Sequence, residues 1–208
     1  MFVECLSYIV ARAGIDRLGV AHIIKGWPVS SYIVALAHQL FVLPYTWFVL
    51  GNASACFRLT TAYFASDLLL NTPFINYEYA LHHIASLVLL TGGPRLLSPE
   101  MVRISCQWLV VLELGSSGIS LADLTGRFYT LRLVLYLLSR ALVIAHTTWT
   151  AVTNPSTRIC CFLSAPLIAH NLRVANRMWV KHKKYVRERY RVRRERWRAQ
   201  HLELKQKM

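Results

Sequence analysis

Six runs of mostly apolar residues, each about as long as a membrane crossing, succeed one another in this chain of 208 residues. A helix spanning a bilayer needs about 20 such residues, with a range of roughly 17–25. The first run is Ser31 to Leu50, SYIVALAHQLFVLPYTWFVL, with tyrosine and tryptophan near its outer end, where interfacial anchors sit. The second, Arg58 to Pro73, is short and contains Asp67, and the third, Tyr77 to about Gly92, contains the pair His82-His83. The fourth runs from about Val102 to Leu121 through Glu113, and the fifth from about Tyr129 to Val152 through Arg140. The sixth, about Arg158 to Met178, is the most polar at its far end. The connections GNAS, NTPFIN, GGPRLLSPE and TNPS are short and rich in turn formers, as between antiparallel neighbours. The pattern predicts an all-α, polytopic integral membrane protein. It has about six transmembrane helices around a central polar pocket, and a basic C-terminal helix.

Charge divides the chain further. Only 16% of its residues are charged, against roughly 25% in soluble domains. From Arg173 onward 14 Lys and Arg stand against Glu188, Glu195 and Glu203, while the body before them is close to neutral. Three parts follow: an N-terminal interfacial segment, 1–29; a membrane domain, 30–180; and a basic cytosolic tail, 181–208. The tail directly abuts the last span, and an excess of Lys and Arg marks the cytoplasmic side. An even number of spans then puts the N-terminus on that side as well, and the sequon Asn52-Ala53-Ser54 in the lumen. Each Lys or Arg near an anionic leaflet contributes roughly 1 kcal/mol, so contact with that leaflet is a stronger reading of the tail than a nucleic-acid arm. Lys184–Glu188, Arg191–Glu195 and Glu203–Lys207 are helix-supporting i, i+4 pairs. Residues 1–27 are read as a helix on the membrane surface, with a poor seventh span or a disordered lead as alternatives. Cys5, Cys56, Cys106, Cys160 and Cys161 are odd in number, with no CxxC spacing, and imply neither a disulfide framework nor a zinc site. A homodimer is left open.

Charged side chains at mid-bilayer cost at least ~2.5–3.5 kcal/mol, so they normally face a bundle interior and have partners. Asp67, His82, His83, Glu113 and Arg140 recur on four successive runs, which points to a shared polar interior. Tyr63 lies four residues before Asp67 on the same helical face, so its phenol is expected to bond the carboxylate. His82 and His83 point about 100° apart, so one is expected to meet the cavity and the other to brace a neighbouring helix. A histidine can serve as base or nucleophile with a carboxylate orienting its ring, and Asp67 or Glu113 is placed to do so. The alternative is a buried network that only fixes helix packing. Two adjacent histidines make a poor chelate compared with an i, i+4 pair, so no metal or other cofactor is expected. Gly115, Ser116, Ser117 and Gly118, after Glu113, allow a neighbouring helix to approach closely.

The segments AYFASDLLL, YALHHIASLVLL and VVLELGSS together resemble the TLC domain, shared by ceramide synthases, translocating-chain-associating membrane proteins and a group of lipid-homeostasis proteins. Tyr63, Asp67, His82, His83, Glu113, Ser116 and Ser117 match its pattern. SYIVALAH with His38, LSRALVI with Arg140, and NRMW with Asn176 and Trp179 resemble its first, fifth and sixth helices. The resemblance spans about residues 30–180. It implies six helices around a lipid-accessible pocket, residence in the endoplasmic reticulum, and the binding of a lipid or acyl chain that influences membrane lipid composition. Tyr63, Glu113, Ser116, Arg140 and His38 would line the pocket. His82, His83 and Asp67 would carry any catalysis, as in an acyltransferase using His82 or His83 as base or acyl carrier. A cargo or translocation accessory role is the third function it implies. The chain lacks the second His-Asp group and the homeobox-like domain of ceramide synthases.

Overall fold

Turn chemistry at the helix ends divides the apolar runs into separate rods. Asn52 caps the helix that follows it, its side chain accepting from the Ala55 amide at 2.9 Å. Ser98 does the same for the Met101 amide at 3.3 Å, with Pro99 in the first turn, where its missing N–H costs nothing. Gly126, with φ of 65°, ends the same helix in the left-handed conformation that glycine adopts most readily. Gly126→Ala is therefore expected to destabilise by about 1 kcal/mol, seen as a lower unfolding midpoint of the detergent-solubilised protein.

The computed structural model describes residues 2–20, 22–72 and 77–206. Pro73 and most of the NTPFIN connection lie outside the described residues, as do the side chains of Cys160, Cys161 and the Glu203–Lys207 pair. The fold is all-α apart from one two-residue hairpin. Helix α1 (Phe2–Ile15) leads through a wide π turn (Asp16–Val20) to strands β1 (Ile23–Ile24) and β2 (Trp27–Pro28). Helices α2 (Val29–Ala37) and α3 (Leu43–Phe48) are two halves of one rod joined by a π turn, His38–Val42. Then come α4 (Ala53–Leu70), α5 (Tyr77–Leu96), α6 (Pro99–Thr125), α7 (Tyr129–Thr153) and α8 (Arg158–Gln206).

Neighbour relations close a ring. Helix α4 packs on α5, α5 on α8, α8 on α7 and α7 on α6, and α6 returns to the α2–α3 rod beside α4. The α6–α7 contact is the most extensive, and the small residues read from the sequence explain it. At Gly115 a Cβ would collide with the side chain of Ser139, and at Gly118 it would lie 3.1 Å from the Arg132 Cα. Helices α5 and α6, though consecutive, barely touch, and both line the cavity within the ring.

The distribution of polarity is inverted relative to a water-soluble bundle. Ser30, His38, Gln39, Thr60, Asp67, Asn71, His83 and Glu113 are buried. Leu131, Val134, Leu138 and Leu142 of α7, and Leu81, Ile84 and Val88 of α5, lie on the outside. A contiguous apolar exterior of this kind marks a surface that something other than water covers. Among the described residues, three helical segments are long and apolar enough to cross a membrane: Val29–Phe48, Pro99–Thr125 and Tyr129–Thr153.

Two parts of the chain depart from the sequence reading. Residues 2–15 do not form a detached surface helix: α1 runs along α4, with Tyr8 and Arg12 turned inward and Phe2, Val3, Leu6 and Val10 outward. Glu4 is 3.7 Å from Arg58 at the start of α4, whereas Arg12 reaches Ser30 at the start of α2. The chain therefore starts at the end of the ring opposite the one from which the basic extension leaves, not beside it. The basic stretch, in turn, is not a separate element. It continues α8 without a break, and the whole helix of 49 residues is about 73 Å long at 1.5 Å per residue. No glycine or proline interrupts it after Pro166, so nothing turns the extension into the plane of a leaflet. Its charged side chains pair along the helix, Arg191 lying 2.6 Å from Glu188 and 3.8 Å from Glu195.

Candidate functional site

The ring encloses a cavity of about 690 Å³ to which α2, α4, α5, α6, α7 and α8 all contribute. Its polar wall holds the residues singled out from the sequence: Tyr63, Asp67, His82, His83, Glu113, Ser116 and Arg140. Its other end, towards the α5–α6 link, is walled by Leu90, Pro94, Leu97, Met101, Ile104 and Leu109. Ser105, Thr147, Thr150, Thr157 and Ser164 lie among them, so this end is not purely apolar, but every Asp, Glu, Lys and Arg of the lining sits towards the other end or the middle. Among the described residues, no group of three or more His, Cys, Asp or Glu side chains is arranged to hold a metal ion.

Asp67 is the centre of the best-connected network. Its Oδ1 accepts from the Asn71 amide at 2.6 Å, and Ser31 Oγ in turn donates to Asn71 Oδ1 at 3.0 Å. Its Oδ2 accepts from the Tyr79 hydroxyl and lies 3.0 Å from His83 Nε2. The second ring nitrogen of His83 lies 3.1 Å from the Tyr79 carbonyl, one turn back on α5. Both nitrogens of His83 are thus occupied, and Tyr79 stacks on its ring at 4.0 Å. The expected orienting carboxylate is Asp67 and not Glu113. The expected phenol is Tyr79 and not Tyr63, whose ring stacks instead on His38 at 4.5 Å.

His82 has different surroundings. It also borders the cavity, and it stacks on His170 of α8 at 4.5 Å, while its Nδ1 is buried without a hydrogen-bond partner. Both histidines line the cavity and both brace a neighbour, so the expected division of labour between them does not hold. They differ in that His83 is held at both nitrogens and His82 keeps one unengaged.

Glu113 sits deeper, accepting from Gln39 Nε2 at 3.0 Å. Arg140 spends its donors on α6 and its own helix: Nη1 on the Leu112 carbonyl at 2.8 Å and on Ser139 Oγ at 2.9 Å, and Nη2 on Ser116 Oγ at 2.7 Å. Its guanidinium lies 4.0 Å from the centre of the Tyr136 ring. Arg140 therefore acts as a clamp between α6 and α7 that also borders the cavity.

His38 is the one proposed lining residue that the structure moves away from the cavity. It is fully buried behind Tyr63, bonded to the Tyr8 hydroxyl at 2.7 Å and near Thr60 Oγ1 at 3.4 Å. The π turn is the reason. The extra residue in the turn lets His38 and Gln39 both point inward, one towards α1 and α4 and the other towards α6 and the cavity. The sequence reading missed Asn71, Tyr79, Ser31 and Gln39. Two of them carried a signal, because Asn71 lies four residues after Asp67 and Tyr79 four before His83, on shared helical faces.

No protein-family model matches the chain, and neither a curated protein nor a solved structure does.

Proposed function

We infer that the chain is a multi-pass membrane protein of TLC type that binds a lipid or acyl chain in the interhelical cavity and thereby influences membrane lipid composition. One observation carries the reading: a cavity of about 690 Å³, within the roughly 300–1,000 Å³ of ligand pockets, whose Asp, Glu, Lys and Arg side chains all lie towards one end and the middle, the end at the α5–α6 link having none. That division suits an amphiphile. In this reading α4, α5 and α8 cross the bilayer with the three more apolar helices, giving six spans around a central pocket with polar walls, and α1 runs through the same layer beside α4, which puts its start on the face opposite the basic extension. The basic extension leaves on the cytosolic side and meets the anionic leaflet with its first turns. Residence in the endoplasmic reticulum follows from the TLC resemblance. Support for a second reading, an acyltransferase, comes from His82, which borders the cavity with one nitrogen unengaged beside the braced His83.

The test is mass spectrometry of lipids that co-purify with the protein in mild detergent, intact and after denaturation. A reversibly bound lipid that is lost in His83→Ala is the expected result. A covalent acyl adduct on His82 or His83 would move the assignment to the enzyme. If no lipid is found under any extraction, the cavity reading fails and a cargo or translocation role takes its place.

A further inference from the structure

The end of the cavity nearest the basic extension gathers four cations from the hairpin, α7 and α8 around two ion-paired carboxylates. In the hairpin turn, Lys25 and Gly26 both have positive φ, 51° and 83°. Such a turn matches the twist of its strands and usually takes Asn or Gly at its first position, so a lysine is held there against its backbone preference. That conformation sets Lys25 Nζ 2.6 Å from Asp123 Oδ1 on α6 and 5.2 Å from the centre of the Tyr129 ring on α7. The adjoining Trp27 packs against Tyr79 with the rings tilted and their centres 4.5 Å apart, which ties the hairpin to α5. Asp123 is shared with Arg132, whose Nη1 lies at 3.2 Å. On the facing side Lys181 of α8 borders the same cavity. One turn back, Arg177 makes a two-pronged bond to Glu78 at 2.6 and 2.8 Å. Among the described residues, Lys25 and Arg132 thus share Asp123 and Arg177 pairs with Glu78, which leaves Lys181 without an ion pair, while Asp67, the other carboxylate of this part of the lining, is taken up by Asn71, Tyr79 and His83.

We propose that this mouth is an anion subsite: the amphiphile in the cavity carries a phosphate or carboxylate head that lies against Lys25 and Lys181. Its chain runs past His83 and Leu90 towards Met101 and Ile104. The inference rests on the reading of the cavity as a lipid site and adds the charge and direction of the ligand. The head then lies among the charged lining residues, and the chain enters the part of the cavity that has none.

The full-length protein in uncharged detergent is titrated with radiolabelled hexadecanoate, hexadecyl phosphate and hexadecanol, which share one chain and differ in the head. Inorganic phosphate is tested as a competitor. The two anionic probes are expected to bind roughly tenfold more tightly than hexadecanol, and Lys25→Gln and Lys181→Gln each to weaken them about fivefold. Hexadecanol binding is expected to stay unchanged in both variants. Lys181→Gln lies on an exposed helical turn, so its reading does not depend on the hairpin folding, and Lys25→Arg should restore anionic binding if charge is what acts. Equal affinity for all three probes, unaltered by either variant, would overturn the subsite and keep the cavity. Binding of inorganic phosphate as tight as that of hexadecyl phosphate would overturn the amphiphile part, the anion then being a free one. No binding of any probe would overturn the lipid reading itself.

Discussion

Asp67→Ala is expected to destabilise the protein by about 3 kcal/mol, the largest loss from any single polar change in the ring interior. The Asn71 amide, the Tyr79 hydroxyl and His83 Nε2 all address this one carboxylate. Removing it leaves buried polar groups of α4 and α5 without their acceptor. Interhelical hydrogen bonds in membranes average only about 0.6 kcal/mol each, because unfolded chains in lipid also find partners. The expected effect is larger here because three bonds converge on one group that is 7% exposed. Asp67→Asn keeps one acceptor oxygen and is expected to cost about 1 kcal/mol. Glu113→Ala should also cost about 1 kcal/mol, since Gln39 is the partner it would strand. Detergent-solubilised variants unfolded by heat or by titrated denaturing detergent would rank the three. An Asp67→Ala midpoint equal to that of the wild type would show that the network does not hold α4 and α5 together.

The second large effect is expected at the α6–α7 seam. Gly115→Ala introduces a methyl group where the side chain of Ser139 already lies, with Arg140 Nη1 at 3.0 Å. Ser139 cannot simply turn aside, because its Oγ donates to the Tyr136 carbonyl at 3.0 Å and accepts from Arg140 at 2.9 Å. Overpacking of this kind costs about 1–3 kcal/mol. Gly115→Leu adds three more carbons to a contact that has no room for the first. It is expected to prise α7 from α6 and abolish the monodisperse peak in size-exclusion chromatography. Ser139→Gly combined with Gly115→Ala makes the space on the opposite helix and should recover much of the lost stability. Failure of that pair to recover anything would mean that the backbones, and not these two side chains, set the distance.

Much of this arrangement was open to reading from residue order alone. Apolar runs of membrane length separated by short turns require helices, since lipid leaves no other way to pair the backbone of a single run. Charged residues recurring on those runs, Asp67, His83, Glu113 and Arg140, require partners, and small residues after Glu113 require a close neighbour. Those requirements are local, so a linear sequence expresses them.

Choosing among partners was not local. Asp67 has Tyr63 four residues before it and Asn71 four after it, and helical spacing alone favours neither. The packing of α5 against α4 decides, by bringing Tyr79 to the carboxylate while Tyr63 turns towards His38. The same holds for His38, which the π turn sends behind the cavity wall, and for α1, whose Tyr8 and Arg12 find partners only once α2 and the π turn after it lie beside it. Sequence determined that the chain is helical, apolar outside and polar within, because hydropathy and backbone pairing act residue by residue. Tertiary structure alone decided which polar groups meet, because a hydrogen bond between helices depends on their relative rotation and axial offset. Those are properties of the assembled ring that no single run contains.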